Sequence, residues 1–418
     1  MTGPLRSRFQ RFSGALAVIL IAVCACGTGS STGSTDTSPI HLALLTPLTG
    51  QWSNFGVFMS EGAKTGAAAV NASGGIMGRQ LILDVVDTQG DPVDSIPAFQ
   101  HELALNHPVA IIGPTDLEMH ALQPLFDRIP IVDTYAGGDT SFDTNPDKWV
   151  FRINASDSEL AVAEGLYANK MGYHTAVMVS SIVAGSQEIT DKITKTLQKA
   201  GGKMAAVVTV TDGLSSYRSE VQKVLAVHPD VIFVQIAPNT AGTFFNNMRE
   251  VNNLSIPVIG SDSSVTKDWL TAITPAVMNK VLTSVVGSSS GGGGTAEFSK
   301  FFRQLFNKDP DAASNQYYDP VIALALAITK GNSTKAADIQ ANLKLVSNPP
   351  GEIVTSYATA LTALSAGKKI NYDGASGPLD FNQYQNVFGA FDIVKANPDG
   401  TFNTIETLSA ADLLAAAS

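Results

Sequence analysis

The stretch that decides the fold runs from residue 41 to residue 87: HLALLTPLTGQWSNFGVFMSEGAKTGAAAVNASGGIMGRQLILDVVD. It opens with a short apolar run, His41 to Thr46, closed by Pro47, which has the make-up of a buried strand. A turn-rich segment follows, Thr49 to Gly56. Met59, Ala63, Gly66 and Val70 then recur at helical spacing, and Gly74-Gly75 stops the helix. The small residues on that stripe predict close packing against a sheet. Leu81 to Asp87 reads as a second strand.

The same alternation continues downstream. Val109 to Gly113 and Ile129 to Asp133 read as strands. Further on come Thr175 to Ser180, a helix with Ile189, Ile193 and Leu197 on one face, Lys203 to Val210, a helix near Ser216 to Val227, Val231 to Gln235, and Ile256 to Gly260. Continuous apolar strands between amphipathic helices predict an α/β protein with parallel sheets covered on both faces. Two such series, divided near residue 153, predict two Rossmann-like lobes. Ligands in such folds bind at the carboxyl ends of strands. The loops to watch are 47–56, 113–120, 133–141, 180–187, 235–242 and 260–266.

Upstream, Arg6, Arg8 and Arg11 precede an apolar run from Ala15 to Val23, the layout of a secretory signal peptide and too short to span a bilayer. The run ends Val23-Cys24-Ala25-Cys26-Gly27, which resembles the lipobox of bacterial lipoproteins. Cys26, preceded by small Ala25, is the better lipidation candidate than Cys24; an ordinary cleaved secretory protein is the alternative. Residues 1–25 are thus expected to be a signal peptide and 26–38 a flexible Gly/Ser/Thr tether. Both cysteines of the chain fall in this segment, leaving no disulfide or thiol chemistry for the rest. About 380 residues remain, enough for two domains with their own cores. Without the leader arginines the chain keeps 24 basic against 37 acidic residues, a net −13. That balance argues against nucleic acid and against anionic lipid as the ligand.

Catalysis finds little support. The six histidines (His41, His101, His107, His120, His174, His228) are scattered, with no pair at metal-ligand spacing. Gly287-Ser288-Ser289-Ser290-Gly291 matches G-x-S-x-G literally, but runs into three more glycines and reads as a loop. Asp84 and Asp87, three apart on a strand, face opposite sides of the sheet. The expectation is therefore no enzyme, no catalytic residue, no metal and no cofactor.

The segment from Thr46 to Pro92 resembles the opening of type 1 periplasmic binding proteins of the branched-chain amino acid class. Their pattern there is roughly G-P-L-T-G, then G-A-x-x-A, N-x-x-G-G-I-x-G-R and D-x-x-x-D-P. Ala110 to Pro114, Phe151-Arg152, Gly260-Ser261-Asp262, Tyr318-Asp319-Pro320 and Asn371 to Phe381 resemble later pieces of the same family, so the likeness spans about residues 40 to 405. It implies two lobes joined by three hinge crossings, near Asn154, near Ser284 to Gly287, and near Ser376 to Pro378. Lobe one would be 39–153 plus 287–375 and lobe two 154–286 plus 376–418, with a small ligand in the cleft.

Site residues carry over one at a time. The resemblance implies that Asp262 faces a ligand ammonium; a solvated loop aspartate is the alternative. Phe55 falls where the family places a cleft aromatic, with Trp52 close by, although lobe packing explains Phe55 nearly as well. Asp157 matches a family aspartate at the first crossing. At the family's ligand-carboxylate serine this chain has Leu117, and Gly137 or Gly138 replaces a threonine. The tyrosine–glycine pair of the second lobe has become Ala184-Gly185. Ala237, in the 235–242 loop, completes that lobe's candidates. Thr115, Asp116, Tyr135 and Asp139 suit a more polar ligand, an amide or a polyol. The implied function is the substrate-binding lipoprotein of an ABC importer, monomeric, held outside the cytoplasm on the cell membrane by its lipid alone, and presenting a small polar solute to permease and ATPase subunits. The alternative is a ligand sensor built on the same module.

Overall fold

The computed structural model describes residues 36–417 except 51, 130, 136, 146, 182–185, 252, 253, 288–291, 312 and 313. Cys24, Cys26 and most of the tether lie outside the described residues. No described helix is long and apolar enough to cross a membrane.

The opening segment folds as its pattern dictates. Strand β1 (Ile40–Thr46) leads to α1 (Ser53–Ala72) and β2 (Leu81–Asp87), then α2 (Pro92–Leu105), β3 (Ala110–Ile112), α3 (Asp116–Arg128) and β4 (Val132–Thr134). The four strands form one parallel sheet in the order β2-β1-β3-β4. β4 begins three residues later than Ile129, where the apolar run starts.

A second series follows: α4 (Asp157–Lys170), β5 (Thr175–Ser181), α5 (Ser186–Lys199), β6 (Lys203–Val210), α6 (Arg218–Leu225), β7 (Val231–Gln235), α7 (Pro238–Glu250) and β8 (Val258–Gly260). The chain goes on through α8 (Lys267–Ile273) and α9 (Pro275–Val281) to β9 (Leu282–Gly287), which also pairs parallel. Then come α10 (Thr295–Phe306), α11 (Asn315–Gly331), α12 (Ala336–Ser347), β10 (Glu352–Val354), α13 (Tyr357–Ser365) and β11 (Ile370–Tyr372), with β10 and β11 paired apart from the main sheets. β12 (Phe391–Ala396), β13 (Phe402–Leu408) and α14 (Ala410–Ala417) close the chain. The second sheet has the order β13-β12-β9-β8-β7-β5-β6. β12 runs antiparallel to both its neighbours, β9 and β13, so the sheet is mixed at that edge.

Helix α1 packs on the sheet, where Thr46 Oγ1 of β1 lies 3.2 Å from Met59 Sδ, and also on a helix. A Cβ on Gly66 would stand 2.8 Å from the Val321 Cβ, and one on Gly62 would stand 2.0 Å from the Ser314 carbonyl oxygen. Only glycine lets α11 and the residue before it come that close. The Val321 to Ile328 stretch of α11 is apolar on all sides and fully buried, because it runs through the first core.

The cores define the lobes. Ile153 packs in the first core and Ala155 against the second. Val285 lies in the second and Phe298 in the first. The last change of core falls after Val387. Leu379, Phe381 and Val387 are still buried in the first core, and the chain joins the second only at Phe388 and Phe391. The reason is Asp319 on α11. Its carboxylate accepts from Tyr372 Oη (2.8 Å), the N–H groups of Ala375 (2.8 Å) and Ser376 (2.6 Å), and Ser376 Oγ (2.5 Å), which ties this segment to lobe one.

Candidate functional site

A cavity of about 330 Å³ lies between the lobes. Two strand ends of the first sheet aim their loops into it. β1 and β3 are neighbours whose chains leave in opposite directions, to β2 and to β4, the switch point where open α/β sheets form crevices. Asp87 pins the loop after β1, accepting from Leu48 N–H (2.9 Å), Thr49 N–H (3.2 Å) and Thr49 Oγ1 (2.6 Å).

That loop delivers Trp52 to the start of α1, and Phe55, Phe58 and Met59 follow on the cavity side. Trp52 packs edge-on against Phe55 at 5.7 Å between centroids, Phe55 lies 5.4 Å from Phe58, and Phe58 lies 6.2 Å from Tyr317 of α11. Trp52 and Phe55 remain 38% and 37% exposed and so form the rim, while Tyr317 is buried at the back.

The start of α3 supplies Thr115, Asp116 and Leu117. Glu118 reaches back to accept from the Thr115 N–H (3.2 Å) and Oγ1 (2.5 Å), a helix-start arrangement that fixes this turn. Asp116 accepts from Tyr135 Oη and from the N–H groups of Gly138 (3.3 Å) and Asp139 (3.0 Å). A Cβ at residue 137 would sit 2.0 Å from Asp116 Oδ1, and one at residue 138 would sit 2.2 Å from Asp157 Oδ1. The two glycines are therefore where two carboxylates need the room a side chain would take.

The second lobe contributes Asp157 and Leu160 from α4, Asp262 from the short turn after β8, Gly287 and Phe391. Ser264 Oγ bonds Ser261 O (2.5 Å) and Ser284 Oγ (2.7 Å), holding the Asp262 turn on β9. Asp262 Oδ1 accepts from the Ser263 N–H at 2.7 Å. Asp157 opens α4, where a helix N-terminus favours a carboxylate. Its pKa is nevertheless pushed up to about 8, first by desolvation, then by Asp116 and Asp262, with Arg152 opposing. Asp262 is open to cavity water, yet protein encloses the cleft around it, and that desolvation holds its pKa above the usual range. Behind them Glu164 is buried, its Oε2 without a partner among the described residues, and burial drives its pKa well up, with Asp262 and Asp157 adding to the rise. Among the described residues no lysine, arginine or histidine lines the cavity, and no group of three His, Cys, Asp or Glu is placed to hold a metal ion.

Of the sequence candidates, Trp52, Phe55, Thr115, Asp116, Leu117, Gly137, Asp157 and Asp262 line this cavity. Tyr135 does not: its ring is buried behind Asp116, which raises the phenol's pKa further after desolvation. Ala237 caps α7 away from the cavity lining. Ala184 lies outside the described residues. Asp139 is held below the usual range because Ser141 and His120 outweigh the effect of its burial; His120 Nε2 is 2.6 Å away. Sequence reasoning missed Phe58, Met59, Asn154, Gln316, Tyr317 and Phe391. Phe58 and Met59 follow Phe55 on one helix turn, a usable signal. Phe391 comes from a strand that pattern did not reveal.

The profile of the periplasmic binding protein family matches residues 39–400, and the chain belongs to that family. A relative from Halobacterium salinarum, the chemotactic signal transduction system substrate-binding protein BasB, is 25% identical over 363 residues, covering 82% of this chain and 83% of its own. Two solved structures share the fold. One is the branched-chain amino acid transporter substrate binding protein LivJ from Streptococcus pneumoniae in complex with isoleucine (TM-score 0.72, 16% identity, 89% of this chain and 99% of that one). The other is a solute binding protein of an ABC transporter from R. palustris in complex with benzoate (TM-score 0.69, 16% identity, 89% and 96%).

Proposed function

We propose that this protein is the extracytoplasmic substrate-binding component of an ABC importer, capturing a small polar solute between its lobes and presenting it to permease and ATPase subunits. The observation that carries this reading is the cavity itself, lined from both lobes in a chain of this family. Its size suits an amino acid, an amide or a related compound. The lobes close on the solute by hinge motion at the three crossings. Trp52, Phe55, Thr115, Asp116, Leu117, Gly137, Asp157 and Asp262 are the contact residues in this reading. The protein binds and does not turn over its ligand. Cys26 carries the lipid that anchors it, so Cys26→Ala releases it from the membrane fraction.

A thermal-shift screen of amino acids, amides, amines, polyols and small organic acids tests the proposal, using protein stripped of ligand by unfolding and refolding. A hundredfold excess over the dissociation constant stabilises by about 2.7 kcal/mol. One chemical class should give hits, with a matching change in Trp52 fluorescence. A flat response across all classes overturns the binding role.

A second reading is favoured by one observation: the relative BasB is named as part of a chemotactic signalling system. In that reading the same module reports its ligand to a membrane partner. Permease and ATPase genes beside this one support import; a neighbouring membrane receptor supports sensing.

A further inference from the structure

We infer that the cleft of this chain takes an organic cation, an amine carrying no carboxylate of its own, in preference to a zwitterionic amino acid. The inference rests on the cleft being the solute site, as proposed above.

Three carboxylates, Asp116, Asp157 and Asp262, face one cavity whose described lining has no basic side chain. An enclosed carboxylate without a counter-charge is costly. The three differ in what they already hold. Asp116 is satisfied by Tyr135 Oη and two backbone N–H groups. Asp262 accepts from Ser263 N–H and from the Ser261 side chain. Asp157 lines the cavity, yet its carboxyl oxygens accept no hydrogen bond from any described residue. The groups facing it are Asp116 of α3, Asp139 of the loop after β4, Asp262 of the turn after β8, and Arg152 and Glu164 on its own stretch of chain. Arg152 is the one cation among them. It is engaged elsewhere, donating to Asp139 O (2.9 Å) and Asp143 Oδ1 (2.8 Å).

A ligand carboxylate meets the opposite situation. The N–H groups of Gly138, which lines the cavity, and of its neighbour Asp139 already donate to Asp116. Leu117 offers no hydroxyl, and every ionised acid of the cavity would repel it. A metal ion is a poor occupant because the described acids are not placed to share one. The four linked rings from Trp52 to Tyr317 complete the fit, since aromatic faces attract ammonium groups and pack the apolar body of an organic cation.

The test uses matched pairs that differ only by a carboxylate: butylamine against norvaline, and phenethylamine against phenylalanine. Butyramide and phenylacetamide serve as neutral controls. Titration calorimetry on refolded, ligand-stripped protein should show at least one amine binding at least tenfold tighter than its amino acid. Because Asp157 must lose its proton to pair with the cation, amine affinity should rise, by up to about tenfold per pH unit, between about pH 6 and pH 8. Binding heats measured in two buffers of different ionisation enthalpy should differ, reporting that proton's release. In Asp157→Asn, with unchanged circular dichroism, the amine should bind at least tenfold more weakly and without the pH slope. An amino acid tighter than its matched amine overturns the inference, as do amides that bind best with no pH dependence. If none of the six compounds binds, the cation inference falls, and the broader screen decides separately whether the cleft binds solutes at all.

Discussion

On the lobe-one side of the cleft the acid, Asp116, accepts from a tyrosine hydroxyl and two backbone N–H groups, and the aromatic rings beside it pack on one another. On the lobe-two side Asp157 accepts from no described residue, and Asp262 has only local bonds within its own turn. One wall is complete as it stands; the other holds acids to which the protein itself supplies no cation. The difference shows how a binding protein can keep an ordered scaffold and still reserve free energy for its ligand. Polar groups that position the cavity wall are satisfied internally, and in the proposed reading those left unanswered are the ones that meet the solute.

The largest effect expected from breaking this contrast is at a satisfied acid. Asp319→Asn turns an acceptor of four bonds into an amide whose NH2 faces N–H donors, so unfolding stability in urea should fall by about 2–4 kcal/mol. A loss no larger than that of Asp262→Asn, an acid open to the cavity, would erase the distinction between scaffold and site.

Next in size is a pH effect from the unsatisfied wall. Folded, Asp157 keeps its proton up to about pH 8; unfolded, it releases it near 4. Between those values the folded state holds a proton the unfolded chain lacks, so the contribution to stability is full at low pH and is lost as pH rises towards 8. The slope is at most about 1.4 kcal/mol per pH unit, and less as cavity water screens the group. Ligand-free Asp157→Asn should therefore show a flatter decline in stability from about pH 5 to 8 than the parent. Parallel curves would mean the carboxylate is solvated after all.

The smallest effect sharpens the comparison from the aromatic side. Phe55 is 37% exposed at the rim. Phe55→Ala should cost about 1 kcal/mol of stability or less, yet weaken the best ligand of the screen roughly five- to tenfold through lost packing. Unchanged affinity would assign Phe55 to lobe packing alone.

Periodicity made the strand–helix alternation readable from the chain, and β2, β6 and β7 have the bounds that their apolar runs give. Resemblance to the family also marked Asp157 and Asp262, through their places after Phe151-Arg152 and Gly260-Ser261. What pattern did not reveal were elements whose apolar residues answer to distant partners. β9, β12 and β13 lie on a mixed sheet edge, with burial set by strands far away in sequence. The segment around Ser376 is tied to α11 by Asp319, more than fifty residues upstream, a contact that no local pattern announces. Leu117 and Gly137 read, in sequence, as lost hydroxyls. Only the fold shows that the Asp116 carboxylate fills the space at residue 137. Sequence alone determined the two-lobed α/β class, because strand and helix periods are local. The character of the cleft was decided by tertiary structure, because a carboxylate's charge and pKa depend on which groups the fold places around it.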